Sequence, residues 1–251
     1  GVQVTAEDIS LTITLSASDV DENVLTFSAV SGDSNNVAAE VIDNQLTLTP
    51  ATNWNGAVYI SVTVSDGELE DSEVFELTVT PVNDTPTIDL PDSLTFAEDG
   101  SLVEDFSGFM DDIDEDDLTL SVSDTMNVTV TIDGFDVTFG SVQDFNGTET
   151  LTFTVNDNHG RAIASDDIVV VVTPVNDAPE LTEIGSQETS EDTALVLILE
   201  ATDVDEGNGP GDENHLEFFA QSEYPEYVSA EVTDNQLLTL TPAENWNGIV
   251  N

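Results

Sequence analysis

The chain has 251 residues, 53 of them acidic against a single basic side chain, Arg161, for a formal net charge of −52. Nucleic acid and anionic membrane are excluded as electrostatic partners, since both are held through Lys and Arg; cations are the partners such a surface attracts. The 39% hydrophobic content and clean alternation exclude a disordered acidic tail, and without cysteine neither disulfides nor thiolate metal sites hold the fold.

From the N-terminus, strands are predicted at 2–5, 9–17, 24–30, 37–42, 45–49, 57–65 and 73–81. The run from Ile9 to Ala17 alternates apolar and small polar residues, the pattern of a half-buried strand. Asp43-Asn44, Asn55-Gly56 and Asp66-Gly67 fall between runs as turn formers. A second set follows at 86–96, 101–109, 117–123, 127–132, 135–139, 149–156 and 163–173. A third set occupies 180–188, 193–202, 215–221, 227–233 and 236–241. No helical period interrupts them. Seven strands per repeat are the count of an immunoglobulin-like β-sandwich. The fold class expected is therefore all-β, as tandem seven-stranded sandwiches over 1–83, 84–176 and 177–251. The first is clipped at its N-terminus and the third is truncated, lacking its sixth and seventh strands, so the chain reads as a piece of a longer array. The insert from Gly207 to Glu213 is expected to form a surface loop of the third repeat. Trp54 and Trp246, with Phe145 at the middle position, are expected to plug the core beside a turn.

Acidic and amide residues recur with the period of the strands. Pro81-Val82-Asn83-Asp84-Thr85-Pro86 returns as Pro174-Val175-Asn176-Asp177-Ala178-Pro179. Glu7-Asp8 returns as Glu98-Asp99 and Glu191-Asp192, and Asp19/Asp21 as Asp112/Asp114 and Asp203/Asp205, at offsets of 91 or 93. A period this long exceeds a solenoid unit and suits one small β domain.

Successive strands of a sandwich run up and down, so alternate loops share a pole. Glu7, between the first and second strands, and Asn53 and Asn55, between the fifth and sixth, face the exit. Asp19, Asp21 and Asp66 face the entrance, and Asn83-Asp84 is the connector. End-to-end stacking then gathers Glu7, Asn53, Asn55, Asn83, Asp84, Asp112, Asp114 and Asp157 at one joint. Glu98, Asp144, Asn146, Asn176, Asp177, Asp203 and Asp205 gather at the next. Asp19, Asp21 and Asp66, with Glu191 as the third copy of the glutamate, complete the candidate metal ligands. Two like charges about 4 Å apart repel by about 1 kcal/mol in water and about 4 kcal/mol at an effective dielectric of 20. With one basic residue in the chain, compensation has to be imported. Hard oxygen ligands without Cys or His among them point to Ca²⁺ over Zn²⁺ or Cu²⁺, and over Mg²⁺, which keeps its waters and a strict octahedron.

Each motif has a plainer reading. Asp-x-Asp is commonly a solvated turn, Glu-Asp can guard the turn before a strand, and Asn-Asp-x-Pro can be turn chemistry alone. Asn55-Gly56 and Asn146-Gly147 read as turns, and the acidic surface as a whole could be a halophile's. Asp112-x-Asp114-x-Asp116 fails as an EF-hand start because Asp117 stands where glycine is needed. His159 and His215 have no counterparts across the repeats and read as surface residues.

The glutamate before the second strand, the Asp-x-Asp after it and the Asn-Asp-x-Pro linker resemble the cadherin calcium framework. The fuller set of Glu-Asp-Thr, Asp-Val-Asp, Asn-Trp-Asn-Gly, Ser-Asp-Gly and Pro-Val-Asn-Asp-Ala-Pro resembles the bacterial cadherin-like tandem-95 repeats of giant RTX-type surface adhesins. That resemblance covers the whole chain. It implies that Glu7 and Glu98 are the cadherin-type glutamates, Asn83/Asp84 and Asn176/Asp177 the linker ligands, and Asp112/Asp114 and Asp203/Asp205 the next domain's aspartates. Asn53-Trp54-Asn55 departs from the acidic tripeptide of animal cadherins. The likeness further implies an extracellular, cell-surface location and export as an unfolded chain.

No nucleophile–base pair presents itself, so no enzyme is expected. The expected function is a Ca²⁺-rigidified stalk or adhesive segment of a large secreted or surface protein, its partners the neighbouring repeats, matching repeats on another cell, or surface polysaccharide. The alternative is carbohydrate- or protein-binding accessory domains attached to an extracellular enzyme; Tyr59, Tyr224 and Tyr227 are the aromatic residues available for such a surface.

Overall fold

The computed structural model describes residues 1–160, 163–205 and 216–250. Strands dominate: β1 (Gln3–Ala6), β2 (Leu11–Thr14), β3 (Thr26–Ser31), β4 (Val37–Ile42), β5 (Gln45–Pro50), β6 (Gly56–Ser65) and β7 (Glu70–Thr80) come first. There follow β8 (Thr87–Ile88), β9 (Ser93–Ala97), β10 (Leu102–Asp105), a 3₁₀ turn at Ser107–Phe109, β11 (Met110–Asp111) and β12 (Thr119–Ser123). Then come β13 (Val128–Asp133), β14 (Asp136–Ser141), β15 (Gly147–Asn156) and β16 (Ile163–Thr173). The last are β17 (Glu180–Leu181), β18 (Leu195–Ile198), β19 (Ala201–Thr202), β20 (Val228–Thr233) and β21 (Leu237–Pro242). The chain is all-β, arranged as tandem sandwiches. It divides into two compact units, one of 1–90, 105–123 and 152–167, the other of 91–104, 124–151 and 168–251.

The first unit holds a whole sandwich. One sheet has the order β1-β7-β6-β3 and the other β2-β5-β4. The alternation seen in the sequence puts Val37, Leu46, Leu48, Val58, Ile60, Leu77 and Val79 between the sheets, with Ile13, Trp54 and Phe75 packed against them. β1 runs parallel to β7, Gln3 opposite Leu77 and Ala6 opposite Thr80. This unit also pairs β8 with β11, and β12 with the end of β15. There Phe106 meets Phe109 and Phe153 edge-on, at 5.8 and 5.0 Å between centroids.

In the second unit β9 runs parallel to β16, Ser93 opposite Val169, and β10, β14 and β13 form a sheet in that order. Leu151, Ile168, Val170, Val172, Val137 and Phe139 are buried there. The third repeat contributes the sheet β18-β21-β20 and the pair β17-β19, beside an open cavity of about 590 Å³ lined in part by Leu199, Leu216 and Phe218.

Several strands are shorter than their alternation predicts. The 86–96 run breaks into β8 and β9 around Pro91, which lacks an N–H for a ladder, and its two parts pair with different partners, β11 and β16. The 101–109 run likewise becomes β10, the 3₁₀ turn and β11. In the third repeat 180–188 keeps only β17, and 193–202 divides into β18 and β19. Among the described residues of 215–221 no strand forms; the counterparts β3 and β12 pair with β6 and β15, strands with no equivalent among the described residues of the third repeat. His215 and the Gly207–Glu213 insert lie outside the described residues.

Candidate metal centres in two acidic clusters

Parallel pairing positions the glutamates. Because β1 lies beside β7, Glu7 N donates to Thr80 O at 3.0 Å, and Glu98 N repeats the bond to Thr173 O at 2.9 Å. Each carboxylate then folds over the departing linker: Val82 N donates to Glu7 Oε1 at 2.5 Å, and Val175 N to Glu98 Oε1 at 2.8 Å. Both glutamates are 2% exposed, which is rare for a carboxylate without a cationic partner. The next residue turns the chain sharply: Asp8, Asp99 and Asp192 all have φ near +60° (58°, 61° and 61°), a left-handed conformation Asp tolerates better than most side chains.

The Asp-x-Asp segments are turns that use only part of their oxygens. Asp112 Oδ1 accepts from Asp114 N at 3.0 Å and Asp116 N at 3.2 Å. Asp19 Oδ1 accepts likewise from Asp21 N and Asn23 N at 2.8 and 3.1 Å, and Asp203 Oδ1 from Asp205 N at 3.0 Å. The second aspartate reaches the linker: Asp84 N donates to Asp114 Oδ2 at 2.7 Å and Asp177 N to Asp205 Oδ2 at 2.6 Å. Asn83 Nδ2 donates to Asp84 O and to Asp157 Oδ2, both at 2.8 Å; Asn176 Nδ2 donates to Asp177 O at the same distance.

In the first unit, oxygens of Glu7, Asp84 and Asp114 lie within 4.8 Å of one another, as do those of Asp112, Asp114 and Asp116. Asp114 belongs to both groups. Asn83 ties Asp157, 1% exposed, to the same place. In the second unit the same bonds assemble Glu98, Asp177, Asp203 and Asp205 around the second linker, and Asn146 Nδ2 approaches both Glu98 oxygens at 3.5 Å.

Among the described residues, acids crowd these clusters and shift one another. Desolvation, then Asp114, Glu7, Asp8 and Asp112, push the Asp84 carboxyl above its ordinary range. Desolvation, then Asp99, Asp144, Asp205 and Glu98, do the same to Asp177. Asp157 moves down, because the Asn83 amide and the His159 N–H stabilise its ionised form. Among the described residues, Asp112 Oδ2 and Asp177 Oδ2 are buried and find no hydrogen-bond partner. A buried acceptor left unsatisfied is costly, and a carboxylate oxygen of this kind is one a cation could take as a ligand. The donors are oxygens alone, from carboxylates, amides and backbone, a set that suits Ca²⁺ and its six to eight hard ligands.

The remaining candidates stand apart. Asp19, Asp21 and Asp66 share the other pole of the first sandwich, where Asp66 Oδ1 accepts from Glu68 N and Leu69 N at 2.8 and 2.7 Å. Those Leu69 and Glu68 bonds, with the Asn23 side chain, hold its carboxyl below the ordinary range. Glu191 is exposed in the turn before β18. Asn53 contributes its backbone, donating to Asp8 Oδ1 at 3.1 Å, and Asn245 donates likewise to Asp192 at 2.7 Å. His159 sits against Asp116, Nδ1 to Oδ2 at 3.1 Å. Sequence reasoning missed Asp8, Asp99 and Asp116. The first two were visible as the second acid of a repeated pair, and the last as the end of the rejected EF-hand pattern.

Comparison with known proteins matches the family model of a cadherin-like domain to residues 1–80 and that of a bacterial Ig domain to residues 83–173. No curated protein matches. Among solved structures, mouse protocadherin-24 EC1-3 aligns with a TM-score of 0.54 at 13% identity, over 97% of this chain and 84% of that one. Human CDH23 EC21-23 aligns at 0.52 and 15% identity, over 98% and 89%. Protocadherin gamma B2 extracellular cadherin domains 1-5 aligns at 0.51 and 15%, over 98% of this chain, which spans 52% of that structure. The chain thus carries cadherin-like and bacterial Ig-like repeats, and the structural likenesses show the shared fold.

Proposed function

We propose that the chain is a calcium-stiffened repeat segment of a large bacterial surface or secreted adhesin, working outside the cell as a stalk or adhesive module. Its repeats are taken as 1–83, 84–176 and 177–251, with the two linkers as joints. The observation that carries this reading is the pair of linker carboxylates, Asp84 and Asp177, each in a crowd of acids with no cation among the described residues. Glu7, Asn83, Asp84, Asp112, Asp114 and Asp157 would hold calcium at the first joint. Glu98, Asp144, Asn176, Asp177, Asp203 and Asp205 would hold it at the second. Asp19, Asp21, Asp66 and Glu191 are the ligands left for neighbouring joints.

Bound calcium supplies positive charge and removes the repulsion. Glu7 and Glu98 anchor the linker through the Val82 and Val175 N–H groups, while Asp114 and Asp205 grip it from the following repeat through the Asp84 and Asp177 N–H groups. The linker is therefore already held from both sides, and cancelling the charge lets those contacts tighten. Extracellular calcium supports sites of about 10⁻⁴ to 10⁻³ M. Calorimetric titration of the full chain with CaCl₂ tests the reading: saturable uptake is expected, diminished separately in Asp84→Asn and in Asp177→Asn. Absence of uptake at millimolar calcium sinks the proposal.

A further inference from the structure

The Asp-x-Asp turn is built alike in the first two repeats. Asp19 Oδ1 accepts from Asp21 N and Asn23 N at 2.8 and 3.1 Å, and Asp112 Oδ1 from Asp114 N and Asp116 N at 3.0 and 3.2 Å. Glu22 and Glu115 both take a left-handed φ, 62° and 59°. The fifth position of the turn differs. The first repeat has Asn23 there and the third Gly207, whereas the second has a carboxylate, Asp116. The Asp-x-Asp of the cadherin framework ends two residues before it.

The added carboxylate has a defined place. Oxygens of Asp112, Asp114 and Asp116 lie within 4.8 Å of one another. Asp112 is 9% exposed, and among the described residues its Oδ2 is buried and finds no hydrogen-bond partner. That oxygen separates the cluster from a solvated acidic turn, because an acceptor taken out of water without a donor is costly. On its other side Asp116 meets His159, whose Nδ1 lies 3.1 Å from Asp116 Oδ2 and 3.1 Å from Asp157 O. Both oxygens are acceptors, so Nδ1 carries the hydrogen. His159 N donates in turn to Asp157 Oδ1 at 2.8 Å. A histidine without a counterpart in the other repeats thus meets a carboxylate without one.

We propose that Asp116 is a metal ligand particular to the second repeat and His159 its positioning residue, so that Asp112, Asp114 and Asp116 hold a calcium ion within one turn. The inference rests on the calcium reading of the joints and adds a position to it. Asp114, shared with the group of Glu7 and Asp84, bridges this ion to the one at the linker. A carboxylate accepts from His159 at Oδ2 and still offers lone pairs to an ion. A hydrogen bond of this kind orients a ligating carboxylate and fixes its rotamer. A third acid on one short turn raises the ligand charge, which is what sets calcium affinity. It lets the turn keep its ion when the linker ligand is lost.

The test is calorimetric titration of the full chain with CaCl₂, with luminescence lifetimes of bound Eu³⁺ in H₂O and D₂O reporting the water left on the ion. Asp116→Asn gives the second repeat the residue that the first carries in the same turn, so its melting temperature in chelator should not fall. It should weaken one class of calcium site at least tenfold and add water to bound Eu³⁺. His159→Ala should weaken the same class about tenfold. His159→Asn, which puts an amide Nδ2 where the ring held Nδ1, should recover it. Asp84→Asn should leave this class in place. Uptake and water unchanged in Asp116→Asn overturn the proposal, and the joint reading then stands if Asp84→Asn still diminishes uptake. A fall in Asp116→Asn with none in Asp84→Asn keeps the ligand and removes the joint reading. His159→Ala binding as tightly as the native chain, or His159→Asn binding no better than His159→Ala, overturns the role of His159.

Discussion

At the scale of single residues, the two linker aspartates and Asp157 respond to charge in opposite ways. Burial and the acids around Asp84 raise its folded pKa. What it contributes to stability is therefore full below the unfolded value, about 3.9, and is lost as pH rises through the raised folded value. Without calcium its ionised form weakens the fold. Asp84→Asn should raise the melting temperature in chelator and lower calcium affinity about tenfold or more, since affinity follows ligand charge; thermal melts and calorimetry on one variant check both signs. Asp157, depressed by the Asn83 amide and the His159 N–H, stabilises above the unfolded value and loses that contribution as pH falls through its lowered folded one. Carboxyl NMR titration of Asn83→Ala should show the Asp157 pKa rising. The acids of Asp-x-Asp and Asn-Asp-x-Pro were legible because spacing alone carries them into a loop or linker. Asp8 and Asp99 were marked only as the second acid of a repeated pair; their place in the cluster depends on a left-handed φ, which leaves no mark in hydrophobic patterning.

At the scale of elements, turns are fixed by contacts the sequence only hints at. Asn55-Gly56 read as turn chemistry, yet Gly56 has φ +152° and a Cβ there would stand 2.8 Å from Trp54 Cζ2. The plug and the glycine are one device, and Trp54 packs against the core as its place beside the turn suggested. Gly56→Ala should cost about 1–3 kcal/mol, and Gly147→Ala less, because Phe145 Cζ is 3.3 Å away; urea denaturation ranks the two. Burial raises the Glu149 carboxyl, and the N–H groups of Met126, Asn127 and Val128 outweigh it, leaving the group below its ordinary range. Glu149→Ala strips those donors and should cost about 1–3 kcal/mol, read in the same experiment. Nothing in the sequence singled out Glu149, since its partners lie more than 20 residues away on another turn. The fourth and fifth strands of each repeat were legible almost to the residue, because β4-β5, β13-β14 and β20-β21 are hairpins with local registers. The first and second strands of the later repeats were not: where a strand changes partners, alternation continues while the ladder does not.

At the scale of the whole molecule, a net charge of −52 makes stability a question of which cation is present. Two explanations of the acidic surface differ here. A halophile's surface responds to ionic strength in general, through a screening length of about 10 Å at 0.1 M and about 3 Å at 1 M. Joints of the proposed kind would respond to calcium in particular, because oxygens clustered as those of Glu7, Asp84 and Asp114 are, within 4.8 Å of one another, suit a divalent ion where monovalent ions only screen. A site saturated at 100 times its Kd adds about 2.7 kcal/mol, and two joints loaded together add more. Thermal melts of the full chain at matched ionic strength should therefore separate NaCl from CaCl₂. Calcium is expected to raise the midpoint by several degrees, roughly 2–4 °C per kcal/mol for a chain of this length, beyond what NaCl achieves. In the presence of chelator, added NaCl should recover part of that gain, and with calcium bound it should add little, since the closest charges are already neutralised. Equal midpoints in the two salts would assign the acids to general solvation and leave the joints without their ion.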